Sequence, residues 1–204
     1  LGRGAIDVHR LARRRDLLGS VTGVDRPSSG ERWFPVGVWL LFVVARHDRV
    51  FWLIALSALV FSDTAAALIG RTYGRFGYAV EDGRKSLEGS LVFALVTFLA
   101  VHVALLLATP IERAASLLVA AQIALLVASF EAISLRGNDN VVVPLGTYYL
   151  LVKMTPKNAF DIGGQLAAQG MLLAATLFVA WRTRFLTASG AIAAHLVLYA
   201  AWSL

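Results

Sequence analysis

The chain has 204 residues, of which 58% are hydrophobic and only 16% are charged, and its mean hydropathy is +0.69. Soluble domains average about 45–50% apolar and about 25% charged residues, so this composition excludes a disordered chain and most soluble enzymes and predicts an integral membrane protein. Because no cysteine is present, disulfides, thiolate metal sites and a catalytic thiol are excluded. The net charge of +6 comes from basic residues between apolar runs, which is typical of membrane-flanking loops, and we expect no nucleic-acid partner.

Residues 1–32 are predicted to form a basic cytoplasmic or interfacial segment. They contain no apolar run of the length that a signal peptide needs, and the chain begins at Leu1, so we expect a fragment or a processed form. Residues 33–204 predict an all-α domain, a polytopic transmembrane helix bundle of about six or seven membrane segments.

The predicted segments are seven apolar runs. They cover residues 33–45, 50–70, 87–108, 114–135, 141–152, 162–181 and 185–204. The second, third, fourth and sixth runs reach the roughly 20 residues that a crossing helix needs, and the seventh nearly does. The runs 33–45 and 141–152 are shorter and contain Pro35 and Pro144, so each predicts either a crossing helix or a re-entrant half-helix.

The distribution of basic residues predicts the orientation. If all seven runs cross, fourteen of the nineteen Lys and Arg residues lie on one side, which the positive-inside rule makes cytoplasmic. We therefore expect a bacterial inner-membrane protein, or an organelle-membrane protein, with its active face in the cytoplasm. If residues 33–45 do not cross, the seven N-terminal arginines change sides and the count reverses.

Ionisable groups within the apolar runs mark the candidate site. Asp63, Glu88, Glu131 and Asp139 each lie near the end of a run, and each costs about 2.5–3.5 kcal/mol on insertion. Two helices separate the segment 71–85 from the segment that precedes Asp139, so all four carboxylates are expected on one membrane face. The alternative is that each is a helix cap or an interfacial carboxylate.

A glycine-rich, basic segment lies between these carboxylates. It contains Gly70, Arg71 and Gly74 and continues to Arg84 and Lys85. Glycines allow backbone N–H groups to approach phosphate oxygens, and basic side chains neutralise them, so the segment predicts a phosphate-binding loop within residues 63–90. With the neighbouring carboxylates it suits a Mg²⁺–nucleotide site. The alternative is an ordinary basic loop with flexible glycines, in which Ser86 is an N-cap.

Three stretches resemble the polyprenol kinase family, which includes the dolichol kinases and phytol kinases. The stretches are Asp63-Thr-Ala-Ala-Ala-x-x-Gly70-Arg71-x-x-Gly74 with Arg84-Lys85-Ser86-Leu87-Glu88-Gly89-Ser90, then Glu131-x-x-Ser134-x-x-x-x-Asp139-Asn140-x-x-x-Pro144, and Arg26-Pro-Ser-Ser-Gly30-Glu31-Arg-Trp33-Phe34-Pro35. Ser62 stands where many relatives have glycine, and the upstream basic-histidine motif of the family is absent. The resemblance implies a cytoplasm-facing nucleotide site.

The resemblance also implies roles for individual residues. The implied catalytic carboxylates are Asp63, Glu88 and Asp139, and the implied metal ligands are these three with Glu131. The implied nucleotide-binding residues are Thr64, Gly70, Arg71, Gly74, Arg84, Lys85, Ser86, Gly89 and Asn140. Which carboxylate is the base stays open.

The predicted function is an integral membrane kinase. It transfers the γ-phosphate of CTP, or of another nucleoside triphosphate, to the hydroxyl of phytol, geranylgeraniol or a polyprenol, with Mg²⁺ as cofactor. Its predicted partners are the lipid alcohol, the nucleotide and membrane lipids. The alternatives are an enzyme similar to phosphatidate cytidylyltransferase and a small membrane transporter.

Three further polar residues are predicted to be structural. His102 and His195 lie alone in apolar runs, so we expect each to bond to a neighbouring helix. Asp161 precedes an apolar run and is predicted to be a helix N-cap.

Overall fold

The computed structural model describes residues 30–80, 83–134 and 137–203. The predicted basic segment 1–32 therefore lies almost wholly outside the described residues. The described elements are α1 (Gly30–Val44), α2 (Arg49–Tyr73), β1 (Gly77–Val80), β2 (Gly83–Ser86), α3 (Leu87–Ala108), α4 (Arg113–Ile133), α5 (Asp139–Met154), α6 (Ala159–Thr183) and α7 (Ala188–Ser203).

Four of these helices are long and apolar enough to cross a membrane, namely α2, α3, α4 and α6. They coincide with the four long runs, and the predicted all-α membrane bundle is confirmed. Helix α4 is the most buried of the four, because α3, α5, α6 and α7 all pack against it. Its side chains form much of the core, whereas α6 turns most of its surface outward.

The short runs 33–45 and 141–152 both form continuous helices that include their prolines. Helix α1 has 15 residues, about 22 Å at 1.5 Å per residue, against about 30 Å for a hydrocarbon core. It packs on α5 so closely that a Cβ on Gly37 would collide with the backbone carbonyl of Asn140. Helicity is thus confirmed for both runs, and their crossing of the membrane stays a prediction.

Helices α2 and α3 form an antiparallel pair joined by a β-hairpin. We predicted a loop between these helices, but residues 77–80 pair with residues 83–86 in an antiparallel register from Gly77–Ser86 to Val80–Gly83. Gly83 has φ 137°, a conformation that L side chains rarely adopt. The hydroxyls of Tyr78 and Ser90 lie 2.7 Å apart and tie the hairpin to α3. A two-stranded hairpin is marginal alone, so such tertiary contacts explain why the local sequence did not predict it.

Polar residues inside the bundle have different surroundings. Nδ1 of His102 lies 2.9 Å from Oγ of Ser116 in α4, as predicted. The prediction for His195 was wrong, because its buried ring has no hydrogen-bond partner within the described part of the chain. The N-cap of α6 is Asn158 rather than Asp161, whose backbone N–H donates to Oδ1 of Asn158 at 2.8 Å.

Candidate active site

A polar cavity of about 460 Å³ lies where α2 ends, α3 begins and the hairpin joins them. We call it the polar cavity. It is lined by Asp63, Ala66, Ala67, Gly70, Arg71, Gly74, Arg75, Gly77, Arg84, Lys85, Ser86, Gly89, Ser90 and Glu131. Nine of the predicted site residues are among them: eight from the first motif and Glu131 from the second.

Glycines in this region bring α2 and α3 into close contact. A Cβ on Gly70 would lie 2.9 Å from Oγ of Ser86, and a Cβ on Gly89 would lie 2.9 Å from the same atom. A Cβ on Gly74 would collide with the carbonyl of Gly70. Ser86 is the N-cap of α3 and accepts the N–H of Gly89 at 3.1 Å, so the predicted N-cap at this residue is confirmed. The glycines therefore serve close helix packing, and the cavity forms beside that packing.

The charges of the polar cavity are mostly positive. Four basic side chains line it, against two carboxylates: Arg71, Arg75, Arg84 and Lys85 against Asp63 and Glu131. Arg71, Arg75 and Arg84 are exposed, and a guanidinium of Arg84 donates to the carbonyl of Gly77 at 3.4 Å. Exposed guanidinium groups bind phosphate oxygens well, often through two parallel hydrogen bonds. The arrangement suits an anionic, polyphosphate-like ligand.

Lys85 joins the hairpin to the end of α4. Its Nζ donates to Oε1 of Glu131 at 2.8 Å, to the backbone carbonyl of Glu131 and to Oγ of Ser134 at 3.1 Å. A lysine ammonium has three donors, so all three have protein acceptors. Lys85 therefore holds the hairpin onto the bundle, and the predicted phosphate contact would require it to exchange one of these acceptors.

Asp63 is one of the two carboxylates that line the polar cavity. It lies within α2, well before the helix ends, and is exposed to the cavity. The charged side chains that interact with it electrostatically are Asp139, Lys85 and Arg71. Glu131 interacts with Lys85, Asp139 and Asp63. Three of the four predicted carboxylates thus form one electrostatic cluster.

Glu88, which the resemblance implied as a catalytic carboxylate and metal ligand, contacts backbone N–H groups in this structure. Its Oε1 accepts the backbone N–H groups of Arg75 at 2.9 Å and Phe76 at 3.1 Å. It does not line the polar cavity. Its carboxylate stabilises the turn between α2 and β1, and that turn positions Arg75.

Three other predicted residues lie outside the cavity lining. The hydroxyl of Thr64 donates to the carbonyl of Val60 at 2.7 Å. Asp139 and Asn140 form the first turn of α5, where Oδ1 of Asp139 accepts the N–H of Asn140 at 3.1 Å. Conversely, the cavity includes Arg75 and Ser90, which stand inside the quoted segment but which we did not predict as site residues. Arg75 and Ser90 lie near the other lining residues because the hairpin brings the end of α2 and the start of α3 together.

The carboxylates near the polar cavity can be compared with the ligands that the predicted Mg²⁺ ion requires. Within residues 30–80, 83–134 and 137–203, no three His, Cys, Asp or Glu side chains are grouped closely enough to hold a metal ion. Mg²⁺ in nucleotide sites needs only one or two carboxylates, because phosphate oxygens and water complete its coordination. Asp63, with Asp139 in its vicinity, fits Mg²⁺ that arrives with a nucleotide. The predicted four-carboxylate ligand set is not assembled among these residues.

Tyr78 lies at the edge of the polar cavity. Burial raises the pKa of its phenol above the ordinary value, Ser90 opposes that shift by hydrogen bonding, and the charge of Glu131 adds to it. The phenol is therefore neutral at physiological pH and retains its proton as a hydrogen-bond donor.

Comparison with known proteins gives one relevant similarity. No protein-family model and no solved structure match the chain. Among curated proteins, it is 34% identical to the phytol kinase of Synechocystis sp. over 139 residues, which cover 67% of this chain and 59% of the relative. The chain thus spans less than two thirds of that relative's length. The similarity supports a relationship to the polyprenol and phytol kinases.

Proposed function

We propose that the chain is a membrane kinase of the polyprenol kinase family, which transfers the terminal phosphoryl group of a nucleoside triphosphate to the hydroxyl of an isoprenoid alcohol. The observation that supports this most is the arginine-rich polar cavity lined by Asp63, at one end of a bundle of apolar helices. The similarity to a phytol kinase supports the same reaction and an alcohol such as phytol or geranylgeraniol.

In this proposal the arginines bind the nucleotide. Arg71, Arg75 and Arg84 contact phosphate oxygens from the exposed side of the cavity. Asp63, with Asp139 nearby, would hold a Mg²⁺ ion that accompanies the nucleotide, and that ion would supply neutralisation of the charge on the transferred group. CTP is the proposed donor, as the family resemblance implies.

Asp63 acts on the alcohol. The alcohol oxygen forms a bond to the terminal phosphorus while the bond from that phosphorus to its bridging oxygen breaks, and the nucleoside diphosphate leaves. The hydroxyl proton passes to the carboxylate of Asp63 and then to solvent. Since phosphoryl transfer needs mainly positioning and charge neutralisation, Asp63, Asp139 and the three arginines, together with Mg²⁺, supply the groups that the reaction needs.

The test is product analysis with the purified chain in detergent. CTP, ATP, GTP and UTP, each labelled in the γ-phosphate, are offered with Mg²⁺ and phytol, geranylgeraniol or a polyprenol. We expect label in the alcohol monophosphate, with loss of transfer on chelation of Mg²⁺. Absence of a labelled alcohol with every nucleotide contradicts the proposal.

Two further assays distinguish the alternatives. Release of pyrophosphate from CTP in the presence of phosphatidate would indicate the cytidylyltransferase reaction. Ion flux through proteoliposomes that needs Asp63 but no nucleotide would indicate a transporter. Neither alternative is favoured, because the similar curated protein is named a kinase.

A further inference from the structure

A second, apolar cavity begins where the polar cavity ends. It has a volume of about 340 Å³ and lies between the hairpin, α3, α4, α6 and α7. We call it the apolar groove. Its lining is mostly hydrophobic and includes Leu91 and Ala94 of α3, Ala128 of α4, Leu173 of α6 and Ile192 of α7.

The apolar groove and the polar cavity are adjacent. Gly77 and Ser90 line both of them. Gly77 has no side chain of its own, and the guanidinium of Arg84 packs against it, because a Cβ there would lie 2.9 Å from Nη2 of Arg84. Tyr78 lines the groove, and its hydroxyl lies 2.7 Å from that of Ser90. A pair of neutral hydroxyls therefore marks the junction between a cationic space and a hydrophobic one.

The groove extends from this junction into the bundle. On α3 its lining runs from Leu87 to Ala94, and seven residues of helix correspond to about 10 Å along the helix axis. Helix α4 contributes Ala132 near the junction and Leu125 at depth. Small residues at Ala94, Ala128 and Ala132 leave space that larger side chains would fill. The shape suits a narrow, branched hydrocarbon chain with one polar end.

We infer that the apolar groove holds the isoprenoid chain of the alcohol and that the hydroxyls of Tyr78 and Ser90 position its hydroxyl at the junction with the polar cavity. This inference rests on the proposed function. The inference specifies the acceptor substrate. It is an alcohol whose first isoprene units lie in the apolar groove and whose remaining chain lies in the lipid. Tyr78 and Ser90 are positioning residues, because it is Asp63 that accepts the hydroxyl proton during phosphoryl transfer.

Another apolar cavity, of about 490 Å³, provides the internal comparison. It lies among α4, α5, α6 and α7 and is lined by residues that include Gly146, Tyr149 and Lys153. It shares no lining residue with the polar cavity. An alcohol bound there would have no shared boundary through which its hydroxyl could reach the arginines.

The experiment fills each cavity separately. Leu173→Trp narrows the deep part of the apolar groove, and Met171→Trp places the same side chain on the exposed surface of the same helix. Gly146→Leu fills the other apolar cavity, where a Cβ meets nothing within 4 Å. The ratio of kcat/KM for phytol to that for geraniol is measured for the three variants and the unaltered chain.

We expect Leu173→Trp to lower this ratio by about tenfold or more, because the long chain loses enclosed apolar surface and the short one does not. Met171→Trp and Gly146→Leu should leave the ratio unchanged. A ratio that changes with Gly146→Leu and not with Leu173→Trp would overturn the inference.

Photo-crosslinking separates this inference from the proposed function. A diazirine analogue of geranylgeraniol is bound to the chain in detergent, and labelled peptides are mapped with and without excess phytol. Competed labelling of groove residues in α6 and α7 supports the groove, even if no nucleotide supports transfer. Competed labelling around Tyr149, or labelling that phytol does not reduce, contradicts the groove whether or not the chain is a kinase.

Discussion

The polar cavity and the apolar groove meet at Gly77 and Ser90, but the chain builds them differently. Most of the polar cavity comes from one stretch, residues 63–90, with Glu131 added from α4. The groove comes from the hairpin and four helices that are distant in sequence. A site made from one stretch leaves a motif of glycines, arginines and carboxylates. A site made from ordinary apolar side chains on many helices leaves no motif.

The two spaces also differ in what their residues do for folding. In the polar region, several predicted ligand residues also stabilise the fold. Ser86 caps α3, Glu88 accepts hydrogen bonds from the turn between α2 and β1, and Lys85 holds the hairpin to α4. Among the groove residues, side-chain hydrogen bonds are made by Tyr78 with Ser90 and by Ser129, which donates to the carbonyl of Leu125 at 2.7 Å. Substitutions should therefore separate into those that stop catalysis, those that weaken the hairpin and those that change the choice of alcohol.

The largest expected effect is from Asp63→Asn. Removing the general base should lower kcat by about 10²–10⁴-fold with every alcohol, whereas the fold remains intact because the side chain is exposed to the cavity. Asp161→Asn is the matched control, since Asp161 lies near the start of α6, away from the polar cavity. Equal activity of Asp63→Asn and Asp161→Asn would contradict the role of Asp63.

Arg75→Ala should raise the KM for the nucleotide by about tenfold, the loss of one charge-assisted phosphate contact. It should not alter the order of preference among alcohols. Arg113→Ala is the control, because Arg113 begins α4 and lies outside the cavity lining. A changed alcohol preference with an unchanged nucleotide KM would place Arg75 in the acceptor site instead.

Lys85 and Glu131 can be tested by a double-mutant cycle. Lys85→Met alone leaves a mostly buried carboxylate without its ammonium partner and should destabilise the chain by about 1–3 kcal/mol. Adding Glu131→Leu should restore much of this stability, because both charges are then removed together. The readout is thermal unfolding in detergent.

Nucleotide affinity in the same cycle decides between two roles for Lys85. If it only holds the hairpin, the double variant should regain both stability and affinity. If the double variant is stable but binds nucleotide more weakly than the unaltered chain, Lys85 also contacts phosphate.

Gly74→Ala should have a smaller effect, a loss of about 1–3 kcal/mol of stability, because its Cβ would collide with the carbonyl of Gly70. Gly170→Ala is the control: a Cβ there meets nothing within 4 Å, and alanine should be neutral or stabilise α6 by about 0.5–1 kcal/mol. Equal melting temperatures for the two variants would show that the close approach of α2 and α3 is not required.

Much of the helical fold was predictable from the sequence, because long apolar runs have few structural alternatives in lipid. The runs 50–70 and 87–108 correspond closely to α2 and α3. The hairpin was not predictable, since its strands are short and its stability depends on Lys85 and Tyr78 contacts with residues outside it. That the ring of His195 has no hydrogen-bond partner among the described residues was not predictable either, because hydrogen bonding inside a helix bundle depends on which side chains face one another.

The site was predictable as a set of residues more than as a geometry. The motifs identified Asp63 and the glycines that line the cavity, but they could not show that Glu88 turns toward backbone N–H groups. Ser62, which departs from the family pattern, is buried with its hydroxyl 2.8 Å from that of Thr97, so it joins α2 to α3 instead of leaving a gap. Such pairings depend on helix rotation, which a motif does not specify.

The most direct test of the central claim is a two-by-two measurement of nucleotide KM and alcohol-length preference in Arg75→Ala and Leu173→Trp. The account predicts that Arg75→Ala changes only the nucleotide KM and that Leu173→Trp changes only the alcohol preference, because each residue lines one of the two spaces. If both variants change both quantities to the same extent, or if their effects are exchanged, the separation into a phosphate-binding cavity and an isoprenoid groove is contradicted.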